Sequence, residues 1–288
     1  MKLHKNMNIL IVGLGLLGGS YAQSLKRQGY KVKAITKEQT SIDFALEKGW
    51  IDDGTTFIDA DMIGSADLVI TALYPSVFIS WIRENQHLLK SGAVITDVTG
   101  VKGAVVYEIQ GILRDDVEFI AAHPMAGREV YGVQNSDDAI FKGANYIVVP
   151  SEDNTDEAIE LCEDLGWTLG FADVSKLSPA RHDEMIAFLS QLTHCIAVSL
   201  MCANDTPGLE RYTGDSFRDL TRIARINDEM WSELFLLNRE ELLMQMDRFR
   251  TEFDRLYECV RDNKRDEMRE MMRLSTERRA YFDKRKQG

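Results

Sequence analysis

Asn8-Ile9-Leu10-Ile11-Val12-Gly13-Leu14-Gly15-Leu16-Leu17-Gly18-Gly19-Ser20 decides how this chain folds. The first five residues form the short apolar run of a buried parallel strand. Three glycines follow in the spacing G-x-G-x-x-G, and a helical stretch then runs to about Gln28. Lys31 to Thr36 (KVKAIT) reads as a second strand, so the unit closes within about 30 residues, as a dinucleotide-binding βαβ unit does. The three glycines serve different physical ends. Gly13 permits the tight turn, Gly15 lets the backbone approach a diphosphate, and Gly18 allows close helix–strand packing. The helix N-terminus at Leu16 and Leu17 offers free N–H groups and partial positive charge to phosphates.

The end of the second strand reads the cofactor's ribose. An Asp or Glu there accepts from a 2′-hydroxyl and repels a 2′-phosphate. Here Thr36-Lys37 stands at that place, with Thr40 and Ser41 shortly after. Hydroxyls beside an ammonium favour NADP over NAD. Glu38 is the counter-indication, since a shift of register would bring its carboxylate to the discriminating position.

Composition narrows the function classes. With 288 residues and a net charge of −12, the chain can bury a large core and is a poor general binder of nucleic acid or anionic membrane. Cys162, Cys195, Cys202 and Cys259 show no CxxC or disulfide-scaffold spacing, so reduced, mostly buried thiols and no metal site are expected. The first strand starts too early for a secretory signal. A cytoplasmic enzyme is expected.

Seventeen of the 20 glycines fall within residues 1–177, leaving Gly208, Gly214 and Gly288 beyond. The first part alternates helix signals (41–48, 76–89, 103–113, 155–165) with strand signals (67–73, 93–98, 117–122, 145–150, 167–172). That alternation predicts an α/β fold, a doubly wound and mostly parallel Rossmann-type sheet over 1–175. Residues 176–288 read as an all-helical domain continuing to the last residue.

His123-Pro124-Met125-Ala126-Gly127-Arg128-Glu129 follows the strand signal at 117–122. An imidazole, a guanidinium and a carboxylate are gathered where a strand gives way to a loop. Behind a nucleotide platform, that grouping points to hydride chemistry with a histidine base.

Met185 to Cys202 (MIAFLSQLTHCIAVSLMC) is apolar on nearly all faces. It is long enough to span a bilayer, but Ser190, Gln191, Thr193 and His194 in its middle are costly in lipid. The expected place is a core, at a subunit interface. Ser190, Gln191 and His194 form one polar stripe, either a satisfied core network or the wall of a polar pocket. Further on, Asp215, Arg218, Asp219, Arg222 and Arg225 crowd a short helical stretch, the usual pattern of a surface salt-bridge lattice. Trp231 follows, as a core residue or the wall of a ring-binding pocket.

Together GLGLLGGS (13–20), DVTGVKG (97–103), HPMAGRE (123–129), FKGANYIVVP (141–150), RHDEM (181–185), QLTH (191–194) and FRDLTRIA (217–224) resemble the prephenate dehydrogenases of tyrosine biosynthesis and the related arogenate dehydrogenases. The resemblance runs from about residue 7 to beyond Trp231. It implies NAD(P)-linked oxidative decarboxylation of a cyclohexadienol, with His123 taking the ring hydroxyl's proton and Arg222 binding a substrate carboxylate. It further implies His194 and Trp231 in the pocket, Glu129 as a gating acid, and a homodimer built through the helical domain. Three positions depart from the family pattern. Thr99-Gly100 replaces a frequent Gly-Ser, so Thr99 is the candidate to assist His123. Gln191 stands for a histidine. Arg128 replaces a small hydroxyl residue, and its charge favours a keto-acid side chain, hence prephenate over arogenate. A 3-hydroxyacid dehydrogenase, with a lysine base, and a non-catalytic NAD(P) sensor are the rival readings.

Overall fold

β1 (Asn8–Val12), α1 (Leu16–Arg27) and β2 (Lys31–Ile35) form the glycine-turn unit expected from the sequence. The computed structural model describes residues 2–283. Alternation continues through α2 (Gln39–Glu47), β3 (Asp53–Thr55), α3 (Ala60–Gly64), β4 (Leu68–Thr71), α4 (Pro75–Asn85), β5 (Val94–Asp97), α5 (Gly103–Ile112) and β6 (Glu118–Phe119). These six strands pair in parallel in the order β3-β2-β1-β4-β5-β6. Strand order reverses direction between β1 and β4, where doubly wound sheets place their ligand crevice. β4 and β5 are buried at every residue, which explains their unbroken apolar runs.

The turn after β1 requires glycine. Gly13 has φ +98°, and a Cβ on it would stand 2.6 Å from the Ala72 carbonyl oxygen. On Gly18 it would stand 1.9 Å from the carbonyl oxygen of Gly13, so α1 lies against the turn as no larger residue permits. At Gly15 a Cβ would meet nothing within 4 Å. That position faces open space.

Three expectations are corrected. The strand read at 117–122 is two strands: β6 belongs to the parallel sheet, while β7 (Ala121–Pro124) pairs antiparallel with β8 (Asn145–Val149). The chain changes sheets at Ile120, whose N–H still donates to Ile95, and His123 therefore lies inside a strand. The strand read at 167–172 does not form. α6 (Asp156–Leu169) runs through Trp167, which is 53% exposed, and ends on Gly170 at φ +92°. The strand comes later, as β9 (Asp173–Lys176), parallel to β8.

The apolar stretch 185–202 is also not one buried α-helix. α7 (Pro179–Ile186) passes through a π-helical turn, Ala187–Gln191, into α8 (Leu192–Cys202). Pro179–Cys202 contains an 18-residue window apolar enough to cross a membrane (mean hydropathy 1.7), of which 28% is buried. Phe188, Leu189 and Met201 are exposed. Of the thiols, Cys162 and Cys259 are buried, Cys195 is half-buried and Cys202 exposed.

Helices α9 (Asp215–Thr221) and α10 (Asp228–Leu237) follow. The polypeptide divides by its packing after Arg239, although strand gives way to helix at 176–179, where composition changes. From Glu240 the second unit consists of α11 (Arg239–Arg261, whose first residue belongs to the first unit) and α12 (Arg265–Ala280), joined through Asn263 at φ +56°. The helix expected to reach residue 288 is described to Ala280, and residues 284–288 lie outside the described part.

Candidate active site

A cavity of about 750 Å³ opens beside the glycine turn. Gly15, Leu16, Leu17 and Gly18 line one side, where the first turn of α1 presents its N–H groups. His123 rises from β7, and Thr99 from the loop after β5. Arg128 and Glu129 come from the loop after β7, Gln191 and His194 from the π-turn and α8, Arg222 and Trp231 from the end of α9 and from α10. The structure thus gathers all eight residues expected for catalysis and substrate. Thr36, Lys37 and Thr40 lie apart from the cavity lining, at the end of β2 and the start of α2. The Thr36 hydroxyl accepts from the Leu14 N–H at 3.3 Å, and Lys37, Glu38 and Thr40 are exposed.

His123 is held by a relay that the sequence did not disclose. Its Nδ1 lies 2.9 Å from Nε2 of His182, and Nδ1 of His182 lies 2.7 Å from Oδ1 of Asp183. A carboxylate only accepts, so His182 donates from Nδ1 and its Nε2 accepts when the ring is neutral. His123 then donates from Nδ1, leaving its Nε2 as the basic atom. Both rings are held below the ordinary imidazole pKa, His123 well below. Burial is the main cause for each; for His123 the neighbouring His182 and Lys102 add to it. Burial outweighs the Asp183 bond at His182. A half-buried imidazole with a fixed tautomer and a lowered pKa can act as a general base.

Beneath it lies a second pair. Lys102 and Asp97, both fully buried, form an ion pair at 2.6 Å. Asp97 also accepts from the N–H groups of Ala122 (3.0 Å) and Thr99 (3.1 Å). The Thr99 hydroxyl is engaged by Asp97, the Val101 carbonyl (3.0 Å) and Lys102 (3.1 Å). Thr99 therefore borders the cavity with its hydroxyl engaged in this network. Gly100 has a packing reason: a Cβ there would stand 3.3 Å from Leu234 Cδ1.

The polar stripe divides between its two readings. Gln191 joins a buried network, donating to the Leu234 carbonyl (3.0 Å) and accepting from Asn238 (2.9 Å). His194 donates from Nδ1 to the Ser190 carbonyl (2.9 Å) and stacks on Trp231 at 3.7 Å between ring centroids. Arg222 pairs with Glu129 across the cavity wall. Arg128, expected to read a keto acid, is instead held by the Asn135 carbonyl (2.8 Å) and faces Asp137 at 3.8 Å. Arg218 is part of a surface pair with Asp215. Arg225 lines the cavity.

Sequence reasoning assigned no roles to His182, Asp183, Asp97 and Lys102. The available signal was local: an adjacent His-Asp pair entering an apolar helix, and an acid and a lysine flanking the DVTGVKG turn.

Two family models cover most of the chain. One, prephenate dehydrogenase, nucleotide-binding domain, matches residues 21–170; the other, prephenate dehydrogenase, dimerization domain, matches 178–274. The chain belongs to the prephenate dehydrogenase family. It is 31% identical over 259 residues to a prephenate dehydrogenase of Bacillus subtilis, covering 86% of this chain and 68% of that protein. A cyclohexadienyl dehydrogenase of Zymomonas mobilis is 27% identical over 281 residues, 94% of each. The crystal structure of prephenate dehydrogenase from A. aeolicus, in complex with hydroxyphenyl propionate and NAD+, superposes with a TM-score of 0.89. Its identity is 31%, over 98% of this chain and 100% of that one. Membership makes this chain an NAD(P)-dependent oxidoreductase and sets aside the 3-hydroxyacid and sensor readings.

Proposed function

We propose that this enzyme oxidatively decarboxylates prephenate to 4-hydroxyphenylpyruvate, as a cytoplasmic homodimer serving tyrosine biosynthesis. The observation that carries the reading is the Asp183–His182–His123 relay, which leaves a bare His123 Nε2 in a cavity that also holds an arginine. The functional division is a cofactor domain over 1–175 and a substrate and dimerisation domain over 176–288.

The residues present fit the cofactor. Gly15 is open to space where a diphosphate approaches, and α1 offers its N-terminal N–H groups. NAD(P) bound there supplies the hydride acceptor. His123 Nε2 accepts the proton of the ring hydroxyl as that carbon is oxidised, and Nδ1–H stays directed to His182, spreading the gained charge toward Asp183. Arg222 leaves Glu129 to bind a substrate carboxylate, which fixes the ring over His123. Loss of the ring carboxylate as carbon dioxide completes the aromatic ring. His194 and Trp231, stacked on one another, form a flat wall suited to the ring.

Arogenate is the second reading, because Arg128 is occupied by Asn135 and Asp137 and so discriminates little between keto-acid and amino-acid side chains. Purified enzyme offered each substrate with NAD and with NADP decides. Reduced cofactor should form with prephenate at the higher kcat/KM, and turnover of arogenate alone would reverse the assignment.

A further inference from the structure

Among the described residues Lys102 alone grips both carboxylates behind the base. Its ammonium holds Asp97 at 2.6 Å, and Asp97 in turn accepts from the N–H of Ala122, the residue before His123. Its own backbone N–H donates to Asp183 Oδ1 at 2.8 Å, beside the Gly103 N–H, which donates to Oδ2 at 2.7 Å. The side chain is fully buried and lies outside the cavity lining, so it touches no substrate. A lysine is almost never wholly buried unless its charge is paired, and removing one partner of such a pair leaves an uncompensated buried charge.

We propose that Lys102 is the positioning residue of the base, holding the backbone of His123 through Asp97 and the ring of His182 through Asp183. The inference rests on His123 being the base. The charged and titratable groups facing this junction are Asp97 on β5, His123 on β7, Cys162 on α6, and His182 with Asp183 on α7. At His123 the neighbouring His182 and then the ammonium oppose protonation by charge; at His182 the ammonium opposes it while Asp183 and Asp97 favour it. Lys102 therefore fixes where the base sits and also biases it toward the neutral form.

NMR titration of the His123 ring Cε1–H tests this whether or not prephenate is the substrate. In Lys102→Met the midpoint should rise by about half a unit or more as the cation is lost. With prephenate, kcat at pH 7 should fall about ten-fold or more from misplacement of the base, and Kd for NAD should stay within about two-fold. Lys102→Met/Asp97→Asn removes both charges, leaves no bare buried carboxylate and keeps an oxygen for the Ala122 N–H. It should shift the same titration in the same direction by less. A His123 titration unchanged in either folded variant overturns the proposal. In wild-type protein with 15N-labelled lysine, Lys102 must be an ammonium at pH 7, and a neutral amine there overturns it without any substitution.

Discussion

Arg222 and Glu129, 93 residues apart in sequence, form an ion pair on the cavity wall. The arginine expected to bind substrate is thus already matched to a carboxylate, and in the function proposed above a substrate carboxylate would replace that partner. Both side chains reach solvent, so the resident pair contributes only about 0–1 kcal/mol.

This exchange predicts unequal effects at its two ends. Arg222→Ala should raise KM for prephenate by about ten-fold or more, since a charged hydrogen bond contributes about 1.5–3 kcal/mol. Glu129→Gln should change it by less than about five-fold. Steady-state kinetics with both ligands varied is the check. An equal rise in KM for NAD after Arg222→Ala would return this arginine to a surface role.

Replacing His123 by Asn should leave cofactor binding intact and lower kcat by about 10²–10⁴-fold, the usual contribution of a general base. Near-normal turnover would remove His123 from the chemistry.

The depressed imidazoles also set a pH dependence. His123 and His182 protonate in the folded state below the unfolded value of about 6.5, so in acid the unfolded chain binds more protons. Their contribution to stability is complete above that value and is lost as pH falls through the folded pKa values. Wild-type kcat/KM should hold to below pH 6.5 before declining, and Tm should fall over the same range. An acid limb centred near pH 7 with a flat Tm would contradict the neutral relay.

Thr36 and Lys37 carry a prediction on cofactor choice. No carboxylate stands immediately after β2 to repel a 2′-phosphate, while one exposed ammonium in water contributes about 1 kcal/mol or less. NADP should be preferred by a few-fold at most, with NAD still used. Lys37→Ala should weaken NADP alone, and Thr36→Asp should reverse the preference. Strict NAD dependence with Lys37→Ala silent would assign the ribose to Glu38.

Phe188 and Leu189 on the π-turn stay 53% and 41% exposed, an apolar surface that a second copy would cover. Light scattering should report about twice the 32.7 kDa chain mass. A stable, active monomer at micromolar concentration would refute the dimer.

The glycine turn and its flanking strands were legible because their signal is local: spacing within one βαβ unit dictates the backbone. His123, Arg222 and Trp231 were legible through motif resemblance, and the cavity brings them together. The relay was not, because His182 meets His123 across 59 residues, and no pattern in either segment encodes that meeting. Nothing in the sequence around Lys102 marks it as buried, and its Asp97 partner is evident only in space. Trp167 carried a strand-like signal, but the helical frame of α6 overrode it, leaving the indole in solvent.

The π-turn at Ala187–Gln191 makes the length of this segment as consequential as its composition. It inserts extra backbone between His182, which faces the base, and His194, which faces Trp231. The turn takes up about one residue more than α geometry would, so closing it into an ordinary α-helix with every residue kept would rotate everything from Leu192 onward by about 100°. One histidine would then swing out of the chamber while the composition stayed unchanged. Removing one residue together with the turn would keep the two histidines nearly in phase, whereas removing one from α8 ahead of His194 would not.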